Sequence, residues 1–178
     1  GWEVWNEKTG ELAADLVERA LISEKAKDKD VVLHSDNGAP MKSYTLKAKL
    51  EELGVMSSYS RPRVSNDNPF SEAQFKTLKY RPGYPKNGFK TIDKAREWVS
   101  KFVNWYNNEH YHSNLKFITT NSRHNGETAK IMEKRKQVYE SARALNPLRF
   151  KKGIRNWDVS EKVALNPTDE IKGKVKNE

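Results

Sequence analysis

The chain has 178 residues, 35% of them hydrophobic, which is enough for one ordinary core and too few for two independent large domains. Lys and Arg number 33 against 24 Asp and Glu, and the excess is uneven: residues 1–90 carry 15 bases against 13 acids, residues 91–178 carry 18 against 11. A net charge of +9 held mostly in the second half favours a polyanionic partner, nucleic acid above all, and the lack of cysteine excludes a disulfide framework and a cysteine-based zinc site. No apolar run approaches the roughly 20 residues that span a bilayer, and no charged-then-apolar leader opens the sequence, so a cytoplasmic location without a membrane partner is expected.

The first residues, Gly1, Trp2, Glu3, Val4 and Trp5, alternate large apolar and polar side chains as a half-buried strand does. The alternation is already under way at Gly1, which predicts a fragment cut from something longer. Ala13, Leu16, Val17, Ala20 and Leu21 then fall at helical spacing. Residues 25–30 read as a charged loop, and Val31, Val32 and Leu33 begin a buried strand that runs out through His34, Ser35 and Asp36 into an Asn37-Gly38 turn. Leu46, Leu50 and Leu53 mark the next helix, with Gly54 where a C-terminal cap belongs, and residues 55–59 form another strand.

Residues 61–68 are polar and turn-rich, and Asn68-Pro69 predicts an N-cap followed by proline at the first position of a helix that runs to about Lys79. Residues 81–90, punctuated by Pro82, Gly83, Pro85 and Gly88, are a loop. In residues 91–107 Ile92, Ala95, Val99, Phe102 and Tyr106 form an apolar stripe widened by Trp98 and Trp105, and this helix is expected to pack on the sheet. Residues 127–145 predict a strongly basic helix through Lys130, Lys134, Arg135, Lys136 and Arg143. Alternating helices and short strands imply an α/β sheet, and parallel neighbours put Asp36 at a strand's carboxyl end, where such sheets build their sites.

Alone, Asp36 is a turn residue and Glu72 a carboxylate complementing a helix dipole. Together they form a pattern: Asp36 ends a buried strand, Glu72 opens a helix, 35 residues separate them, and Lys79 follows on the same helix face as Glu72 and Lys76. A strand-end carboxylate and a helix-face carboxylate can converge on divalent cations, and a lysine further along that face can meet the phosphates of DNA.

The strings HSDNGAPMKSYTLKAKLEELGV, SYSRPRVSNDNPFSEAQFKTLKYRPGYP and WVSKFVNWYNNEHYHSNLKF resemble the catalytic region of bacterial transposases of insertion sequence family three, relatives of retroviral integrases, and the resemblance covers nearly the whole chain. It implies a ribonuclease-H-like mixed sheet flanked by helices, with residues 1–110 a partial integrase core lacking its first strands and residues 111–178 a basic, partly helical extension. The family's triad has two aspartates and a glutamate: Asp36 matches the second aspartate, Glu72 the glutamate after the usual interval, and Lys79 the basic residue seven positions later. The first aspartate has no counterpart here and is expected upstream of Gly1. Two magnesium or manganese ions, held by oxygen ligands including Asp36 and Glu72, would serve cleavage at DNA 3′ ends and strand transfer. Lys79, Lys76, Arg61 and Arg63 are the implied DNA contacts, and the partners are element ends, target DNA and further copies of the chain. Alternatives are a remnant that only binds DNA and a nuclease of the same fold without joining activity. The sequence departs from the family at Thr120, where proline is usual.

Among weaker signals, His34, His110, His112 and His124 suggest zinc, but His110-Tyr111-His112 has no cysteine or carboxylate partner at ligand spacing, so metal binding by histidine is not expected, and Trp98, Trp105 and Tyr106 follow the buried stripe and read as core. The basic run from Lys130 to Arg155 reads equally as a solvated face or a DNA contact.

Overall fold

In the computed structural model, which describes residues 1–64 and 67–159, the first regular element begins at Thr9. Its hydroxyl accepts the backbone N–H of Leu12 at 3.3 Å and caps helix α1, Gly10–Ser23. Strand β1, Val32–Ser35, follows, then a short 3-10 turn, Pro40–Lys42. Ser43 repeats the capping device of Thr9, accepting the N–H of Leu46 at 3.2 Å to open helix α2, Tyr44–Glu52. This helix ends as Gly54 predicts. With φ at +66°, Gly54 donates its N–H to Glu51 O, and Val55 donates to Leu50 O at 2.8 Å, the paired bonds of a Schellman motif. The reversal delivers Val55 into the core and starts strand β2, Met56–Tyr59.

β1 and β2 pair in parallel, in register from Val32 opposite Met56 to Ser35 opposite Tyr59. They are the only two strands of a sheet among the described residues, joined through α2 as parallel neighbours must be by a crossover. Ala14 and Leu21 from α1, Leu46, Leu50 and Leu53 from α2 and its cap, and Val55 make one buried cluster, against which Val31 and Leu33 pack. Val32 and Met56, opposite one another, are exposed, so one sheet face carries uncovered apolar surface.

Helices α3, Pro69–Tyr80, and α4, Ile92–Asn108, follow, the second opened by the Thr91 hydroxyl, which accepts the N–H of Lys94 at 3.3 Å. Two compact units divide at Val99 and Ser100. In the second, a bridge between His112 and Ile118 closes a turn, helix α5 spans Thr120–His124, and helix α6 spans Thr128–Leu145. Thr120 takes the first helical position of α5, where proline fits without cost, and its hydroxyl donates to Tyr106 O at 3.3 Å or Asn107 Oδ1 at 3.1 Å. Ile118, Met132 and Trp157 form that unit's buried cluster.

The mixed α/β class and the parallel pairing match expectation, whereas two local readings do not. Residues 1–5 form no strand: a strand needs a neighbouring backbone, and here the Val4 carbonyl accepts from the Arg96 side chain at 3.2 Å while the Arg96 guanidinium lies 4.9 Å from the Trp5 ring centroid. Among the described residues no α4 side chain belongs to the cluster beside the sheet, whose apolar face is taken by α1 and α2. In its place Trp98 meets Tyr84 edge-on at 5.3 Å, and Phe89 packs beside both. At α3 the expected N-cap Asn68 and first helical residue Pro69 are both in place, although Asn68 makes no side-chain capping bond and the fixed φ of Pro69 suits the first turn.

Candidate active site at the ends of the parallel strands

Asp36 is the first residue beyond β1, on the carboxyl edge of the parallel pair, and is exposed. Its Oδ1 accepts the backbone N–H of Gly38 at 3.0 Å, a short Asx turn that holds the carboxylate over the strand end. A Cβ on Gly38 would lie 3.0 Å from that same oxygen, so a side chain there would press on the carboxylate that the turn holds. Asn37 Nδ2 donates to Ser60 O at 2.7 Å and Ser60 N–H donates to Ser35 O at 2.9 Å, which ties the ends of β1 and β2 together just below the carboxylate.

Asp67 closes the loop that leaves β2. It is buried, at 6% exposure, and its carboxylate receives three donors from Arg61. Nε at 2.9 Å and the backbone N–H at 2.8 Å reach Oδ2, and Nη2 reaches Oδ1 at 2.8 Å. The side-chain bonds from Arg61, then its backbone bond, hold the Asp67 carboxyl at about 2 against an ordinary 3.8. The Asp67 backbone carbonyl faces the other strand and lies 2.9 Å from His34 Nε2. A carbonyl only accepts, so Nε2 carries the proton, and in the neutral ring Nδ1 accepts the Ser58 hydroxyl at 2.9 Å.

From that anchored residue α3 departs. Glu72 lies in its first turn, where a carboxylate complements the positive end of the helix dipole, and Lys79 lies in its last turn. Glu72, Lys76 and Lys79 are all exposed, at the spacing that lines one helix face, and α3 buries no residue. Phe70, Phe75 and Tyr80 on the same helix are also exposed. Arg63, with φ at +62°, is a non-glycine in the left-handed region and exposed.

Of the three carboxylates expected as ligands, two lie in this chain. Asp36 and Glu72 offer accessible carboxylate oxygens, the hard donors that magnesium and manganese prefer. Among the described residues no three His, Cys, Asp or Glu side chains are grouped to hold an ion, so any binding here rests on this pair. Arg61 is committed to Asp67, while Lys76 and Lys79 extend from an uncovered helix. The sequence pattern passed over Asp67, and gave His34 a role only by exclusion. The signal that pointed to them was the polar loop itself: its buried backbone groups need partners, and an aspartate bracketed by arginine can supply them.

In the second unit the basic run divides. Arg135 donates through both terminal nitrogens to Lys116 O and Phe117 O, two consecutive left-handed residues with φ at 56° and 59°. Arg135 and Arg155 also lie 5.3 Å and 5.2 Å from the Trp157 ring centroid. These two arginines hold the unit together, whereas Lys130, Lys134, Lys136 and Arg143 point to solvent. His110 packs against Trp105 at 4.7 Å and Tyr106 at 5.4 Å, so the histidines and aromatics of this stretch form a ring cluster.

Residues 53–119 match the model of the integrase core domain, a span that includes Glu72 and Lys79 and begins beyond Asp36. Over 118 residues the chain is 28% identical to the transposase for insertion sequence element IS904 of Lactococcus lactis subsp. lactis (strain IL1403), covering 66% of this chain and 46% of that protein. The chain thus spans about half the length of the curated relative it matches. No helix among the described residues is long and apolar enough to cross a membrane.

Proposed function

We propose that this chain, part of which matches the integrase core domain and which is similar to an insertion-sequence transposase, contributes the catalytic region for metal-dependent cleavage of DNA 3′ ends and their transfer into target DNA. The observation that carries the reading is the pair of exposed carboxylates, Asp36 at the carboxyl edge of a parallel strand and Glu72 in the first turn of a helix, with Asp67, two residues before that helix, bonded to both Arg61 and His34. Asp36 and Glu72 hold the cation, magnesium or manganese, which when bound supplies positive charge for phosphoryl transfer. A ribonuclease-H-like arrangement, two ions and a further aspartate complete the proposed site.

The chain's own residues position the DNA. Lys79, with Lys76 one turn nearer Glu72, binds backbone phosphates and sets the register of the strand along α3. Arg63 reaches the same backbone from the neighbouring loop, and Arg61 contributes through its exposed side chain while bound to Asp67. In the first reaction water attacks the phosphorus at the element end and the 3′ oxygen leaves as a hydroxyl. In the second, that hydroxyl attacks a target phosphodiester and displaces the target's own 3′ oxygen. Element ends and target DNA are the substrates, and copies of the chain act together on them.

The deciding experiment uses Asp36→Asn and Glu72→Gln, which keep shape and remove the anionic ligand. Each is expected to abolish magnesium-dependent joining of a donor end to target DNA in the intact transposase, with the circular dichroism of the protein unchanged. Near-normal joining by either variant would remove that residue from the site. Cleavage without joining in the unmodified protein would assign a nuclease instead.

A further inference from the structure

We infer that His34 and Asp67 form a positioning clasp that sets the Glu72 helix against the Asp36 strand end, an inference resting on the reading of those two carboxylates as cation ligands. Asp36 and Glu72 sit on different elements, 36 positions apart in sequence, so sharing a cation would need a fixed path between them. Two connections lie along that path. On one side the Arg61 fork and backbone N–H fasten the buried Asp67 carboxylate to the exit of β2. On the other, His34, two residues before Asp36, donates Nε2–H to the Asp67 carbonyl while Ser58 on β2 holds its Nδ1.

Asp67 is thus bonded to His34 near the end of β1 and to Arg61 just beyond β2, and it stands two residues before α3 and five from Glu72. The imidazole suits this position because it is short and rigid and offers a donor and an acceptor on opposite edges. Phenylalanine keeps the ring and loses both bonds. Glutamine keeps an amide donor for the Asp67 carbonyl. Neither residue touches substrate in this role: they act through the placement of Glu72.

The absence of cysteine from the chain gives a direct readout of that placement. In the full 178-residue chain carrying Asp36→Cys and Glu72→Cys, the rate of intramolecular coupling by a short bismaleimide reports the effective concentration of the two positions. Adding His34→Phe is expected to slow coupling on the order of tenfold, as a fixed geometry gives way to a loop-tethered one. His34→Gln should restore most of the rate. Leu21→Ala, a core change on α1 that touches neither hydrogen bond of the clasp, should lower thermal stability and leave coupling alone. Unchanged coupling with His34→Phe, or equal slowing with Leu21→Ala, would overturn the clasp. The ligand reading is checked separately by electron paramagnetic resonance titration of manganese with the cysteine-free chain. Asp36→Asn and Glu72→Gln should each weaken binding, and if neither does, the ligand assignment fails while the coupling result stands on its own.

Discussion

Replacing Lys79 by alanine tests whether α3 meets DNA as a specific contact or merely belongs to a basic protein. A contact with one phosphate contributes about 0.9 to the slope of log affinity against log salt on duplex DNA. Losing it should therefore lower the slope by about 0.9, and between about 50 and 200 mM salt the variant's affinity should fall about 3.5-fold less than that of the parent. Lys79 lies in the last turn of α3, where its charge also complements the helix dipole, so the substitution costs the helix about 0.3–1 kcal/mol at low salt. Circular dichroism at each salt concentration separates that effect from DNA binding. The control is Lys94→Ala, the same charge change at an exposed residue of α4 whose ammonium lies 3.2 Å from Glu97. Fluorescence anisotropy titrations with a labelled duplex at four or more salt concentrations give both slopes. If Lys94→Ala lowers the slope as much as Lys79→Ala, the attraction comes from the diffuse +9 charge and the α3 contact is refuted. If Lys79→Ala leaves the slope unchanged, its role is structural.

Gly54→Ala should destabilise the first unit by about 1 kcal/mol, since the left-handed φ of +66° costs an L-residue about 1–2 kcal/mol while the stiffer unfolded chain returns part of it. No atom lies within 4 Å of the added Cβ, so a much larger drop in denaturant midpoint would point to a clash that the geometry lacks. Leu46→Ala, at a fully buried position, should cost about 2–5 kcal/mol in the same urea titration, and a loss under 1 kcal/mol would mean that the cluster is not the unit's core. The Asp67 carboxyl titrates lower in the folded chain than in the unfolded one. Its contribution is therefore complete above the ordinary carboxylate value of 3.8 and is lost as the pH falls toward about 2. Asp67→Asn should flatten that part of the acid unfolding curve, and an unchanged acid limb would show that Arg61 does not stabilise the ionised form.

Much of the fold was readable because its determinants are local. Gly54 announces the reversal after α2, Pro69 the start of α3, and the Leu46 and Leu50 spacing the face that α2 buries. The failures share a cause, which is that a pattern fixes a side chain's environment without naming its partner. Trp2, Val4 and Trp5 alternate as strand residues do, yet strand formation needs a second backbone, and Arg96, 92 residues from Val4, supplies a side chain instead. The α4 stripe is amphipathic by spacing, but α1 and α2 reach the apolar side of the sheet through short connections, and Trp98 turns to the nearby Tyr84 and Phe89.

The site shows the same division more sharply. Asp36, Glu72 and Lys79 stand out in sequence because their element types and spacing are preserved along the chain, a strand end, a helix start and a helix face. Asp67 leaves no such trace, since its partners are six and 33 positions away and belong to two different strand exits. Its burial follows from saturation: with three donors on the carboxylate and one on the carbonyl, little remains for water to satisfy. An ionised aspartate at 6% exposure is tolerable only in such company, so the residue that looked like one more polar loop position is the one whose removal should loosen both strand exits at once.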